Sequence, residues 1–98
     1  MRIIKSAIAG TLESSDIQIR IEPGKKGEIN IYLKSVVEKQ FGNQIRELMR
    51  TELTKLGVSQ CEVIAIDKGA LDFAIVARLQ SAAYLGAGID KNIAWEGM

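Results

Sequence analysis

The chain has 98 residues, 47% of them apolar and 26% charged, which suits one small folded domain rather than a disordered segment. A net charge of +1, with two Phe, two Tyr and one Trp, argues against nucleic acid as a partner, because phosphate binding needs a basic surplus and base stacking needs aromatic platforms. The absence of histidine excludes Ser-His-Asp triads, Cys-His pairs and histidine metal sites, so neither a metal centre nor self-contained catalysis is expected.

The single cysteine, Cys61, rules out an intrachain disulfide and points to a reducing cytoplasm. The apolar run after Arg2 and Lys5 ends at Gly10, too short for a signal peptide, and no run approaches the ~18 apolar residues of a membrane span.

In chain order, residues 7–13 have strand spacing, with Ile8 and Leu12 on one face and Gly10 between them as a bulge or close backbone approach. Residues 16–22 alternate cleanly: Ile17, Ile19 and Ile21 point one way, Gln18 and Arg20 the other. Only Ser14-Ser15 separates the two runs, which predicts a β-hairpin over about 8–22. Pro23-Gly24-Lys25-Lys26-Gly27 then breaks the chain, and residues 28–34 alternate again through Ile29, Ile31 and Leu33. Three successive strands predict an antiparallel meander.

Ser35-Val36-Val37-Glu38 has capping-box spacing and predicts a helix start. Its apolar stripe runs through Val37, Phe41, Ile45, Leu48, Met49, Leu53 and Leu56, and Gly57 follows as the stop. Residues 58–66 are apolar on both faces, which predicts a central strand with Cys61 as a small buried hydrophobe. Asp67-Lys68-Gly69-Ala70 breaks it, and 70–85 read as a second helix with Leu71, Ile75, Leu79 and Ala82 on one face. Residues 89–98 form a polar tail in which Trp95 is expected to anchor onto this domain or a partner. The order β-β-β-α-β-α predicts an α+β fold, an antiparallel-rich sheet with two helices packed on one face, in a single domain over 1–98.

A two-residue hairpin loop favours positive φ, which serine supplies only at a cost of ~1–2 kcal/mol. The residues alone leave two readings of Ser14 and Ser15. They are polar turn residues in a somewhat longer loop, or one presents a hydroxyl for covalent attachment. Without a base, neither is a hydrolase nucleophile.

The stretches Ala9-Gly10-Thr11-Leu12-Glu13-Ser14-Ser15-Asp16, Val36-Val37-Glu38-Lys39-Gln40-Phe41-Gly42, Asp67-Lys68-Gly69-Ala70-Leu71-Asp72 and Trp95-Glu96 together resemble the citrate lyase acyl carrier proteins, the gamma subunits of citrate lyase. The resemblance implies a non-catalytic carrier, with Ser14 as the attachment point and Ser15 as second choice. The implied group derives from 2'-(5''-triphosphoribosyl)-3'-dephospho-CoA and is held through a phosphodiester. Its thiol would carry acetyl and citryl thioesters while citrate is cleaved to acetate and oxaloacetate. The implied partners are the alpha subunit (the acyl transferase), the beta subunit (the citryl lyase), a loading transferase and an acetylating ligase. The family commonly has glycine where this chain has Ser15. Arg20, Lys25 and Lys26 are candidate phosphate contacts by charge. The helix opening at Ser35 and the Trp95 tail are candidate docking surfaces. Alternatives are the carrier subunit of malonate decarboxylase, which uses a similar arm, and an unmodified α+β interaction module.

Overall fold

The strand with the cleanest alternation is also the most deeply buried. In the computed structural model, which describes residues 1–89, β2 (Ile17–Glu22) points Ile17, Ile19 and Ile21 into the core with no exposed surface. β1 (Ala7–Gly10) pairs with it antiparallel, Ala9 opposite Ile19. On its other side lies β4 (Cys61–Asp67), also antiparallel, with Val63 opposite Ile21. β3 (Ile29–Ser35) pairs with β4 in parallel, Ile31 opposite Val63. The sheet order is therefore β1-β2-β4-β3.

The α+β class and the element order stand as expected, but the meander does not. β4 inserts between β2 and β3 because it has apolar side chains on both faces: Cys61, Val63 and Ala65 point inward, Ile64 and Ile66 outward. The connection after Glu22 must then cross two strand spacings, about 10 Å, past the start of β4. α1 (Glu38–Lys55) carries the chain from β3 back to the parallel β4, as a parallel pair requires.

α1 buries Ile45, Met49 and Leu53, and α2 (Asp72–Gly86) buries Ile75, Leu79, Ala82 and Ala83, so both helices cover one face of the sheet. Two stripe residues stay outside. Phe41 is half exposed and lines a shallow cleft with Leu71, and Leu71 precedes α2 instead of entering its core face. Gly57 takes φ +78 just after the α1 C-cap Leu56, the stop that its position suggested.

The capping box is absent. Ser35 is the last residue of β3, and its Oγ donates to the buried Asp67 Oδ2 at 2.7 Å while accepting the Val37 N–H at 3.0 Å. Val37 is the N-cap, with no side-chain cap. Glu38 instead accepts two hydrogen bonds from the Arg46 guanidinium, at 2.8 and 3.1 Å. Gly42 lies between the two partners on the helix and leaves room for this pair, since a Cβ there would meet the Glu38 carboxylate.

Cys61 is fully buried, and burial, with Glu62 beside it, pushes its thiol up to about 11. The folded chain thus disfavours a thiolate that the unfolded chain forms from pH 9 upward, so this contribution to stability is intact below pH 9 and is lost as pH rises to about 11. A Cys61→Ala variant is expected to lack that alkaline component in denaturant titrations. Native alkylation at pH 8 is expected to run at least ~100-fold slower than in the unfolded chain.

Candidate functional site

β1 stops at Gly10 because the chain there turns to φ +90, and a Cβ would overlap the Ile17 carbonyl oxygen. This is the close approach expected of that glycine. The strand does not continue to Glu13, so the loop between β1 and β2 has six residues, Thr11 to Asp16, instead of two.

Asp16 organises that loop. Its carboxylate accepts from Thr11 Oγ1 at 2.6 Å and from the Ile17 N–H at 2.7 Å. Thr11 Oγ1 in turn accepts the Glu13 N–H at 3.2 Å. From α2, Arg78 grips the same carboxylate with both prongs, Nε to Oδ1 at 3.1 Å and Nη2 to Oδ2 at 2.9 Å. Such bidentate pairs fix direction as well as distance. The Arg78 bonds above all, then those of Thr11 and Ile17, hold the Asp16 carboxyl far below its ordinary 3.8. The same pair raises Arg78.

A depressed acid contributes stability above its unfolded pKa and loses it as pH falls. Wild-type chain is therefore expected to lose stability below about pH 4 more steeply than an Asp16→Asn variant, read by circular dichroism in acid titrations.

Within the loop, the Asp16 N–H donates to the Glu13 carbonyl at 3.1 Å and closes a β-turn. Ser14 is its second residue and Ser15 its third. Ser15 has φ +65, the conformation that glycine supplies at the third position of a type II turn. The backbone then ties the turn to the end of β4: the Ser15 N–H donates to the Lys68 carbonyl and the Lys68 N–H to the Asp16 carbonyl, both at 2.9 Å. Asp67, 1% exposed, braces that corner by accepting from Ser35 Oγ and from the Ala70 N–H at 2.9 Å. Ser14 and Ser15 are both exposed, and the loop's side-chain bonds run through Thr11 and Asp16. The arrangement is an exposed hydroxyl on a turn clamped from three sides, chemically an acceptor and not an activated nucleophile.

The three cations suggested by charge are not gathered at this turn. Arg20 lies on the sheet face opposite the helices, about 13 Å along β2 from Asp16, with its Nε on Glu22 Oε2 at 2.7 Å. Lys25 and Lys26 sit beyond the far end of β2, where Lys26 lines a depression with Met1, Ser59 and Gln60. Lys34 and Lys68 flank the serine end instead, lining a cleft with Leu12, Val36 and Ile66. Trp95 and residues 90–98 lie outside the described residues.

Arg78 is the residue holding this loop that the sequence motifs do not single out. One signal for it exists: it is the only cation in α2, and no acidic residue stands three or four positions from it. Its partner here comes from the serine loop, 62 residues away in the chain. Among the described residues, no helix is long and apolar enough to cross a membrane.

A family model described as the Malonate decarboxylase delta subunit (MdcD) matches residues 4–85. The citrate lyase acyl carrier protein of Albidiferax ferrireducens is 49% identical over 98% of this chain and 97% of that protein. The one from Streptococcus pyogenes is 50% identical over 93% of this chain and 89% of that protein. A chain in the crystal structure of a Pseudomonas malonate decarboxylase hetero-tetramer in complex with malonate superposes with TM-score 0.76 over 87% of each chain, at 19% identity, which speaks to the fold alone. The chain belongs to the family of acyl carrier subunits that this model describes and, within it, to the citrate lyase acyl carrier proteins.

Proposed function

We propose that this chain is the carrier subunit of a citrate lyase complex and that Ser14 holds its prosthetic arm, a phosphoribosyl-dephospho-CoA group joined through a phosphodiester. The observation that carries the site choice is the turn. Ser15 occupies a left-handed position that suits glycine, so its side chain is incidental to the turn, whereas Ser14 presents a hydroxyl from an ordinary position. The residues around the turn fit a phosphate-bearing group: Lys34 and Lys68 flank the cleft, and its one carboxylate, Asp67, is buried against Ser35 and Ala70.

The arm's thiol supplies acyl attachment. The protein supplies position. Arg78, Thr11 and Asp16 hold the turn, so the attachment point moves with the rigid sheet. A tether of this kind replaces diffusional encounters with local ones at high effective concentration. The chain itself does no acid–base work. Its partners on this reading are the alpha and beta subunits, the loading transferase and the acetylating ligase, all in the cytoplasm.

Co-expression with the loading enzymes is expected to raise the intact mass by one arm. An unchanged mass would sink the proposal in favour of an unmodified interaction module. The malonate decarboxylase reading, favoured by the matching family description and the shared fold, predicts copurification with that enzyme's subunits instead.

A further inference from the structure

The face of the sheet opposite the helices has no covering element among the described residues. The end remote from the serine turn carries Glu22 and Glu62, opposite one another across β2 and β4. Around Arg20 the middle carries Ile8, Tyr32 and Ile64, which are 52%, 55% and 37% exposed. The serine end carries Lys34 and Lys68. Between them Leu12, Val36 and Ile66 line a cleft of about 370 Å³. Leu12 belongs to the serine loop itself, and the Lys68 backbone is bonded to Ser15 and Asp16, so the cleft opens beside the turn.

We propose that this cleft seats the first part of the chain's own prosthetic arm. Lys34 and Lys68 pair with the phosphates nearest the attachment point. Leu12, Val36 and Ile66 pack against the sugar and apolar atoms that follow. The arm then leaves along the uncovered face, away from the helices. Ser14 is two residues from Leu12, which lines the cleft, and adjoins Ser15, whose N–H is bonded to the Lys68 carbonyl, so seating a tethered group there costs little further entropy. Lys34 and Lys68 bring exposed positive charge to the cleft, and the one carboxylate lining it, Asp67, is buried and bonded to Ser35 and Ala70. The inference rests on the reading of Ser14 as the attachment point.

The test compares loaded and unloaded full-length chain, with loading verified by intact mass. In the loaded chain, backbone amide resonances of Lys34, Val36, Ile66 and Lys68 are expected to shift in addition to those of the turn at 13–16. Acetylation of Lys34 and Lys68 by a soluble acyl donor is expected to slow by at least ~3-fold, with Lys25 and Lys26 unchanged as references. A Lys34→Ala, Lys68→Ala double variant is expected to load and yet to lose the shifts at Val36 and Ile66. Resonance changes confined to 13–16, with equal lysine reactivity, would overturn the seat while leaving Ser14 as carrier. A folded double variant that fails to load would assign the lysines to recognition by the loading enzyme and overturn it also. A wild-type chain that never gains mass removes the reading beneath the inference, and the inference with it.

Discussion

Ser14→Ala is expected to abolish loading while leaving the thermal midpoint unchanged, because the hydroxyl is exposed and the loop is held by other groups. The companion substitution separates the two neighbouring oxygens. Ser15 stands at φ +65, where an L side chain costs ~1–2 kcal/mol. Ser15→Gly relieves that strain but adds backbone freedom to the unfolded chain, which offsets ~0.4–1 kcal/mol. The expected net result is a gain of about 0.5–1 kcal/mol, or about 2–8 °C in midpoint, with loading retained in full. Intact mass and peptide mapping read the first part, and a thermal melt reads the second. Loading that survives Ser14→Ala and disappears in Ser15→Gly would move the attachment point by one residue.

Gly24→Ala is expected to damage the fold through crowding alone, without the positive φ that adds to the cost at Gly10. The connection from β2 to β3 passes over the start of β4, and a Cβ at Gly24 would stand 2.6–2.8 Å from the backbone N, Cα and C of Cys61. A backbone cannot swing aside as a side-chain tip can. Either the loop lifts, straining the Cys61 N–H bond to the Glu28 carbonyl at 2.9 Å, or the end of β4 shifts. The expected loss is about 2–3 kcal/mol, or about 10–20 °C in midpoint. Gly27→Ala is the control: Gly27 has φ +77, but a Cβ there would meet nothing within 4 Å, so only conformational strain of ~1 kcal/mol is expected. Equal effects at both sites would show that crowding over β4 is not what Gly24 relieves.

Much of the fold was legible in local patterns. The isoleucines of β2, the Ile45-Met49-Leu53 stripe and the doubly apolar β4 each declare a buried face through their period, because burial acts on side chains two or three to four residues apart. Gly57 declared a helix end through its own φ. The capping box failed for a reason no local rule contains: Ser35 satisfies its hydroxyl on Asp67, 32 residues away, once β3 and β4 align in parallel. Phe41 fits the helical period yet stays half exposed, since a period says which side chains share a stripe and not how far the sheet extends beneath it.

For the site, the order of residues was enough to place an exposed serine pair between two strands, while the preference for Ser14 over Ser15 came from the likeness to a known family. Composition was enough to remove histidine chemistry, and this holds for any fold the chain adopts. Tertiary structure alone decided which cations stand near that serine. Arg20, Lys25 and Lys26 are closer to it in sequence than Lys34, Lys68 or Arg78, yet an extended strand carries the chain about 3.3 Å further with each residue. The insertion of β4 and the packing of α2 bring the more distant three back to the turn. Strand pairing is a choice among long-range partners with similar local patterns, and it is settled by total burial rather than by any one segment. That choice made a six-residue loop into a clamped platform and, among the described residues, left one sheet face open beside it.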